Sequence, residues 1–140
     1  MGIFDIFGKK PSGKGSSREI YTSELGYDGA NICIDTNIEE SKAHLHEDFA
    51  VLLAEGIEKL IRERFVPYLK SDEFADMDDE RIFNGLKLYD ITYARTQRGY
   101  GRVQFFFESG DDCTAEIMES DAMEVYIRGG KIESIDCFVV

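Results

Sequence analysis

Residues 8–15 read GKKPSGKG, so Gly8, Gly13 and Lys14 match a phosphate-binding loop at all but its last position. Such a loop holds phosphate oxygens on the N–H groups of a glycine-rich turn. Its lysine reaches the outer phosphates, and a Ser or Thr hydroxyl binds magnesium. Here Gly15 replaces the hydroxyl residue, Ser16 comes one position late and Pro11 stiffens the turn. The loop also needs a buried strand before it and a helix after it in a parallel sheet. IFDIF (3–7) could serve as that strand and ICID (32–35) as the acidic magnesium strand, but the rest of the chain reads as antiparallel. The stretch PSGKGSS is therefore read as a linker.

The chain has two histidines, His44 and His46. On a strand they would share a face, but on a helix they diverge by about 200°. The local pattern is helical, which aligns His44 with Glu40 and Asp48 in a carboxylate–His–carboxylate stripe able to hold a divalent cation weakly. An exposed polar helix face is the simpler reading. Cys33 lies just ahead of that helix, so a thiol–imidazole pair with His44 or His46 is geometrically conceivable. A buried structural cysteine is the commoner outcome. The acidic run Asp72, Glu73, Asp76, Asp78, Asp79, Glu80 is not a calcium loop: counted from Asp76, the glycine position holds Arg81 and the final glutamate position holds Lys87. Asp78, Asp79 and Glu80 instead suit a helix N-terminus. The sequence has no G-x-S-x-G elbow and no H-E-x-x-H helix, so it offers no catalytic set and calls for no cofactor.

Two further segments carry binding chemistry. YARTQRGYGR (93–102) places Arg95, Arg98 and Arg102 beside Tyr93 and Tyr100. Arginine forks bind phosphate or carboxylate and tyrosines can stack nucleic-acid bases, so Arg95, Arg98, Tyr100 and Arg102 are the partner- or anion-binding candidates. The competing reading pairs these arginines with the chain's own acids. At the other extreme, MGIFDIFGKK puts Ile3, Phe4 and Phe7 on one face of a short helix next to Lys9 and Lys10, a segment able to dock on a partner or a membrane surface. The same residues also read as a loose tail.

The elements that must position these residues follow from periodicity. REIYTSEL (18–25) and ANICIDT (30–36) flank GYDG and predict a hairpin, with a helix over 18–25 as the competitor. Leu45, Phe49, Leu52, Leu53, Ile57, Leu60, Ile61 and Phe65 recur at helical spacing, with Glu47, Asp48, Glu55, Glu58, Lys59, Arg62 and Glu63 on the other face. One helix from about 38 to 66 is expected, capped by Thr36 and Glu39 and stopped by Pro67. Gly56 inside it should cost roughly 1 kcal/mol against Ala. A short helix near 78–84 follows. Strands are expected over 86–94, 102–109, 114–120, 122–128 and 131–140, turned by RGYG, SGDD and GG. The expected fold is α+β: an N-terminal hairpin, one long amphipathic helix, then a four- to five-stranded antiparallel meander packed on the helix through Phe105, Phe107, Val125 and Ile127. Residues 1–17 form a flexible segment and linker, and 18–140 a single domain.

Charge narrows the function classes. The 140 residues hold 28 acids and 16 bases, a net charge of −12, and the bases Lys9, Lys10, Lys14 and Arg18 crowd the first 18 positions. So acidic a body repels nucleic-acid phosphates and attracts basic surfaces. Cys33, Cys113 and Cys137 are widely spaced and form no C-x-x-C pair, as expected of reduced thiols in a cytoplasmic, bacterial-type protein. No secretory signal or membrane-spanning run is read. The leading expectation is a non-catalytic acidic interaction module, of inhibitor or immunity type, that binds a basic protein and no nucleic acid. A second reading is a peripheral adaptor held through residues 1–10, its only membrane contact. A third is a hydrolase or metal-dependent enzyme using Cys33, His44 or His46. The apolar last strand, ending Cys137-Phe138-Val139-Val140, adds a homodimer through a sheet edge as an expectation.

Overall fold

The computed structural model describes residues 18–21, 31–34, 38–70 and 72–140. In chain order these form β1 (Arg18–Tyr21), β2 (Asn31–Ile34), α1 (Ile38–Glu55) and α2 (Ile57–Leu60). A π turn (Ile61–Phe65) leads into α3 (Val66–Leu69), followed by a 3-10 turn (Asp72–Phe74), α4 (Asp79–Asn84), β3 (Leu86–Arg95) and β4 (Gly101–Ser109). The chain finishes with α5 (Asp112–Ala115), β5 (Ser120–Arg128) and β6 (Lys131–Val139). The strands lie in the order β1-β2-β3-β4-β5-β6. β3 to β6 form the expected antiparallel meander of four strands, so the protein is α+β. β1 pairs antiparallel with β2, and β2 pairs parallel with β3. The connection of the expected hairpin, the expected capping residue Thr36, the side chain of Glu39 and the whole of 1–17 lie outside the described residues.

The helical segment packs on one face of the meander. Leu45, Phe49, Leu52, Ile57, Leu60, Ile61 and Phe65 meet Ile91, Tyr93, Val103, Phe105, Phe107, Met123, Val125 and Ile127, all buried. Phe65 stacks on Phe107 with ring centroids 4.3 Å apart, and Phe49 lies against Tyr93. Alternation along β4 and β5 sends every second residue into this core, the period that strand geometry dictates. Leu53 departs from expectation: it falls at the margin of the stripe and is exposed.

The helix is not one long helix. Gly56 adopts φ 101° and ψ 106°, a conformation open to glycine and strained for any residue with a Cβ. Its N–H still donates to the Leu52 carbonyl at 2.8 Å, and its own carbonyl accepts from Leu60 at 3.0 Å. One glycine therefore ends α1 and opens α2, which turns the chain to keep Ile57, Leu60 and Ile61 on the core. Pro67 does not stop the helix either. The wider π turn precedes it, where a normal turn would set the proline ring against the carbonyl four residues back, and helix continues to Leu69.

The fifth expected strand, 114–120, is instead α5 and the approach to β5. Asp111 caps α5 by accepting from the Thr114 N–H at 3.0 Å, and the Thr114 hydroxyl donates to the Gly85 carbonyl at 2.9 Å. Gly110 N–H donates to the same carbonyl at 2.7 Å. These bonds hold the β4–β5 connection against the end of α4, whose N-cap Asp78 accepts from Arg81 N–H at 3.1 Å.

Candidate functional site

Meander geometry separates the charged residues into two ends. The β3–β4 and β5–β6 turns lie at one end of the sheet, and the β4–β5 connection lies at the other with α4. The first end gathers Arg95, Arg98, Arg102, Arg128 and Lys131. The second holds the base-free stretch 108–121 against α4, and the base-free stretch 72–80 leads into that helix; each has six acids.

The sequence candidates at the first end part company. Arg95 turns inward: its guanidinium donates to Asp48 Oδ2 at 3.0 Å, and its backbone N–H donates to the buried Ser41 hydroxyl at 3.1 Å. The Tyr93 hydroxyl also donates to Asp48 Oδ2. Gly101 makes room for this cluster, because a Cβ there would overlap the Asp48 carboxylate. Burial, and then the bond to Asp48, raise the Tyr93 phenol well above its ordinary range. Asp48, Tyr93 and Arg95 thus form a buried lock between α1 and the sheet. Asp48 is on the buried face of α1, contrary to its assignment to the polar face: it lies three residues from Leu45 and four from Leu52, inside the apolar stripe.

Arg98, Tyr100 and Arg102 stay on the outer side. The Tyr100 hydroxyl donates to Glu133 Oε1 at 2.8 Å and accepts from Arg128 at 2.8 Å, and its ring meets Tyr126 edge-on at 5.9 Å. The turn is closed by Thr96, whose Oγ1 accepts from the Tyr100 N–H at 3.1 Å. Arg98 is exposed, while the Nε of Arg102 is buried with no hydrogen-bond partner. An open cleft of about 550 Å³ lies here, lined by Arg98, Tyr100, Tyr126, Glu133 and the hydroxyls of Thr96 and Ser134. Sequence reasoning did not include Arg128, Tyr126 and Glu133 in this group. The signal was the GG turn, which an antiparallel meander must place at the same end as RGYG.

The remaining candidates are scattered. His44 Nδ1 lies 2.9 Å from Glu47 Oε1, and His46 is exposed nearby. The side chains of Glu40 and Cys33, and the residues Ile3, Phe4 and Phe7, lie outside the described set. Among the described residues, no group of three or more His, Cys, Asp or Glu side chains is arranged to hold a metal ion. Among the same residues no helix is long and apolar enough to cross a membrane. β6 forms the outer strand of the sheet, with Val139 72% and Val140 61% exposed.

At the acidic end, several carboxylates are held by the fold. Asp79 pairs with Lys70 at 2.6 Å, Glu80 with Arg62, and Glu108 with Lys87 at 3.3 Å. Asp121 is buried and accepts from the Tyr68 hydroxyl at 2.7 Å, and Asp78 and Asp111 cap helices. Bonds to Thr114 hold the Asp111 carboxyl below its ordinary range. Glu73, Asp76, Asp112, Glu116 and Glu119 remain exposed, with no ion pair among the described residues. No family model, curated protein or solved structure matches this chain.

Proposed function

We propose that this chain is a non-catalytic acidic interaction module that binds a basic protein, in the manner of an inhibitor or immunity protein, through the end carrying α4 and α5. The reading rests on where the charge lies. The bonds of Thr114 and Gly110 to the Gly85 carbonyl fasten the acidic 108–121 stretch to the C-terminal end of α4, and the acidic 72–80 stretch runs into the N-terminal end of the same six-residue helix. The exposed carboxylates of Glu73, Asp76, Asp112, Glu116 and Glu119 are left to face solvent there. A surface of one sign raises the encounter rate with an oppositely charged partner and rejects partners of like charge. Screening over about 8 Å at physiological salt makes such binding strongly salt-dependent.

Affinity capture from the source lysate at low and high salt tests the proposal, using the wild type and a variant with Asp76→Asn, Asp112→Asn, Glu116→Gln and Glu119→Gln. The expected result is a basic protein retained by the wild type at low salt, released at high salt and not retained by the variant. Retention that ignores salt, or that survives neutralisation of this end, would overturn the reading.

A further inference from the structure

Five of the bases whose side chains are described have found a carboxylate: Lys59, Arg62, Lys70, Lys87 and Arg95 each make an ion pair. Six described bases make none. Arg64 and Arg81 lie elsewhere, while Arg98, Arg102, Arg128 and Lys131 gather at the end formed by the two turns. In a chain with 28 acids and 16 bases, this end is a local excess of positive charge. Arg98 of this group lines a cleft of about 550 Å³, within the size range of small-molecule sites. Its aromatic members are Tyr100 and Tyr126, and its one lining acid is Glu133.

The cleft residues are already partly organised. Glu133 Oε1 accepts the Tyr100 hydroxyl, which also takes a proton donor from Arg128. Arg128 lies over the Tyr100 ring at 5.1 Å, so one face of that ring is taken. Behind Tyr126, its cross-strand neighbour Arg102 adds charge and carries the unsatisfied buried Nε. Arg98 at the lip has its planar fork free for a bidentate contact.

We propose that this cleft binds a small phosphate ester that carries a flat ring, of the nucleoside monophosphate class. Arg98 receives the phosphate in a forked contact, with Arg102 and Arg128 contributing positive charge. Tyr126 receives the ring, and Glu133 Oε2 accepts a hydrogen bond from a ligand hydroxyl or amino group. The two ends of the molecule then serve different partners: a protein at the acidic end and a small anion at this one.

The test is an NMR titration of the isotope-labelled full chain with adenosine and uridine monophosphates, beside inorganic phosphate and adenosine alone. The expected result is saturable shifts at 96–102 and 126–134 with a monophosphate, at lower concentration than inorganic phosphate or adenosine requires. Arg98→Ala, an exposed turn substitution, should weaken that binding roughly ten-fold or more, the scale of a charge-assisted hydrogen bond. Arg98→Lys, which keeps the charge and loses the fork, should fall between the two. Unmoved signals at these residues under millimolar ligand would overturn the proposal, as would binding unchanged by Arg98→Ala. Equal affinity for inorganic phosphate and the monophosphates would remove the ring from it.

Discussion

Gly56→Ala gives opposite results in a continuous helix and in this fold. In an uninterrupted helix, replacing an interior glycine with alanine gains about 1 kcal/mol. Here Gly56 is not helical: at φ 101° and ψ 106° it sits where a Cβ is strained. Strain of that kind costs about 1–3 kcal/mol. The added methyl would lie 3.4 Å from the Lys59 Cβ, close to ordinary contact, so little steric cost adds to it. The expected outcome is a loss of about 1–3 kcal/mol, without the helix-propensity gain. For a domain of this size that lowers Tm by roughly 3–5 °C per kcal/mol. Urea unfolding followed by far-UV circular dichroism measures it, with an unchanged m-value confirming that only stability has moved. A more stable variant with added helical signal would show the opposite, that α1 and α2 prefer to run straight.

The buried lock gives a second prediction. Asp48→Ala leaves the Arg95 guanidinium and the Tyr93 hydroxyl without their carboxylate and should cost about 3–5 kcal/mol in urea unfolding. Gly101→Ala should also destabilise, since its methyl needs the space of the Asp48 carboxylate, and combining the two should cost less than their sum. Stability should fall at alkaline pH. Burial, helped by Asp121 and Asp48, raises the Tyr68 and Tyr93 phenols above the ordinary 10.0. The contribution is complete below that pH; above it the unfolded chain releases protons that the folded chain keeps, and unfolding gains. A pH series of urea midpoints should show the decline beginning near pH 10, and Tyr68→Phe should flatten it. Burial pushes the Cys137 thiol up to about 11, so iodoacetamide should label it slowly in the native protein at pH 8 and faster as pH approaches that value, read by peptide mass spectrometry.

The parts of this fold legible in the sequence are those with a strong period. The stripe from Leu45 to Phe65 and the alternation of 102–109 and 122–128 gave the helical layer, the meander and the shared core. What stayed hidden depends on local conformation or on contacts distant in sequence. Helical periodicity continues through Gly56 because the break keeps the same face on the sheet, so spacing alone does not reveal it. The π turn hides in the same way behind Pro67. The segment 114–120 resembles a strand by composition, but the Asp111 cap and the Thr114–Gly85 bond decide for a short helix. For the candidate sites, the RGYG turn drew notice through its arginines, yet one of them, Arg95, points into the core. The choice between core and surface was made by Asp48, 47 residues away, whose place in the apolar stripe was the available clue.

A hydrogen-exchange footprint on the captured complex shows whether the acidic end is the protein-binding surface. The expected result is slowed exchange within 72–80 and 108–121 when the basic partner is bound, with 96–102 and the outer face of α1 unchanged. Protection confined to the Arg98 turn or to the β6 edge, with the acidic stretches exchanging as in the free protein, would contradict it.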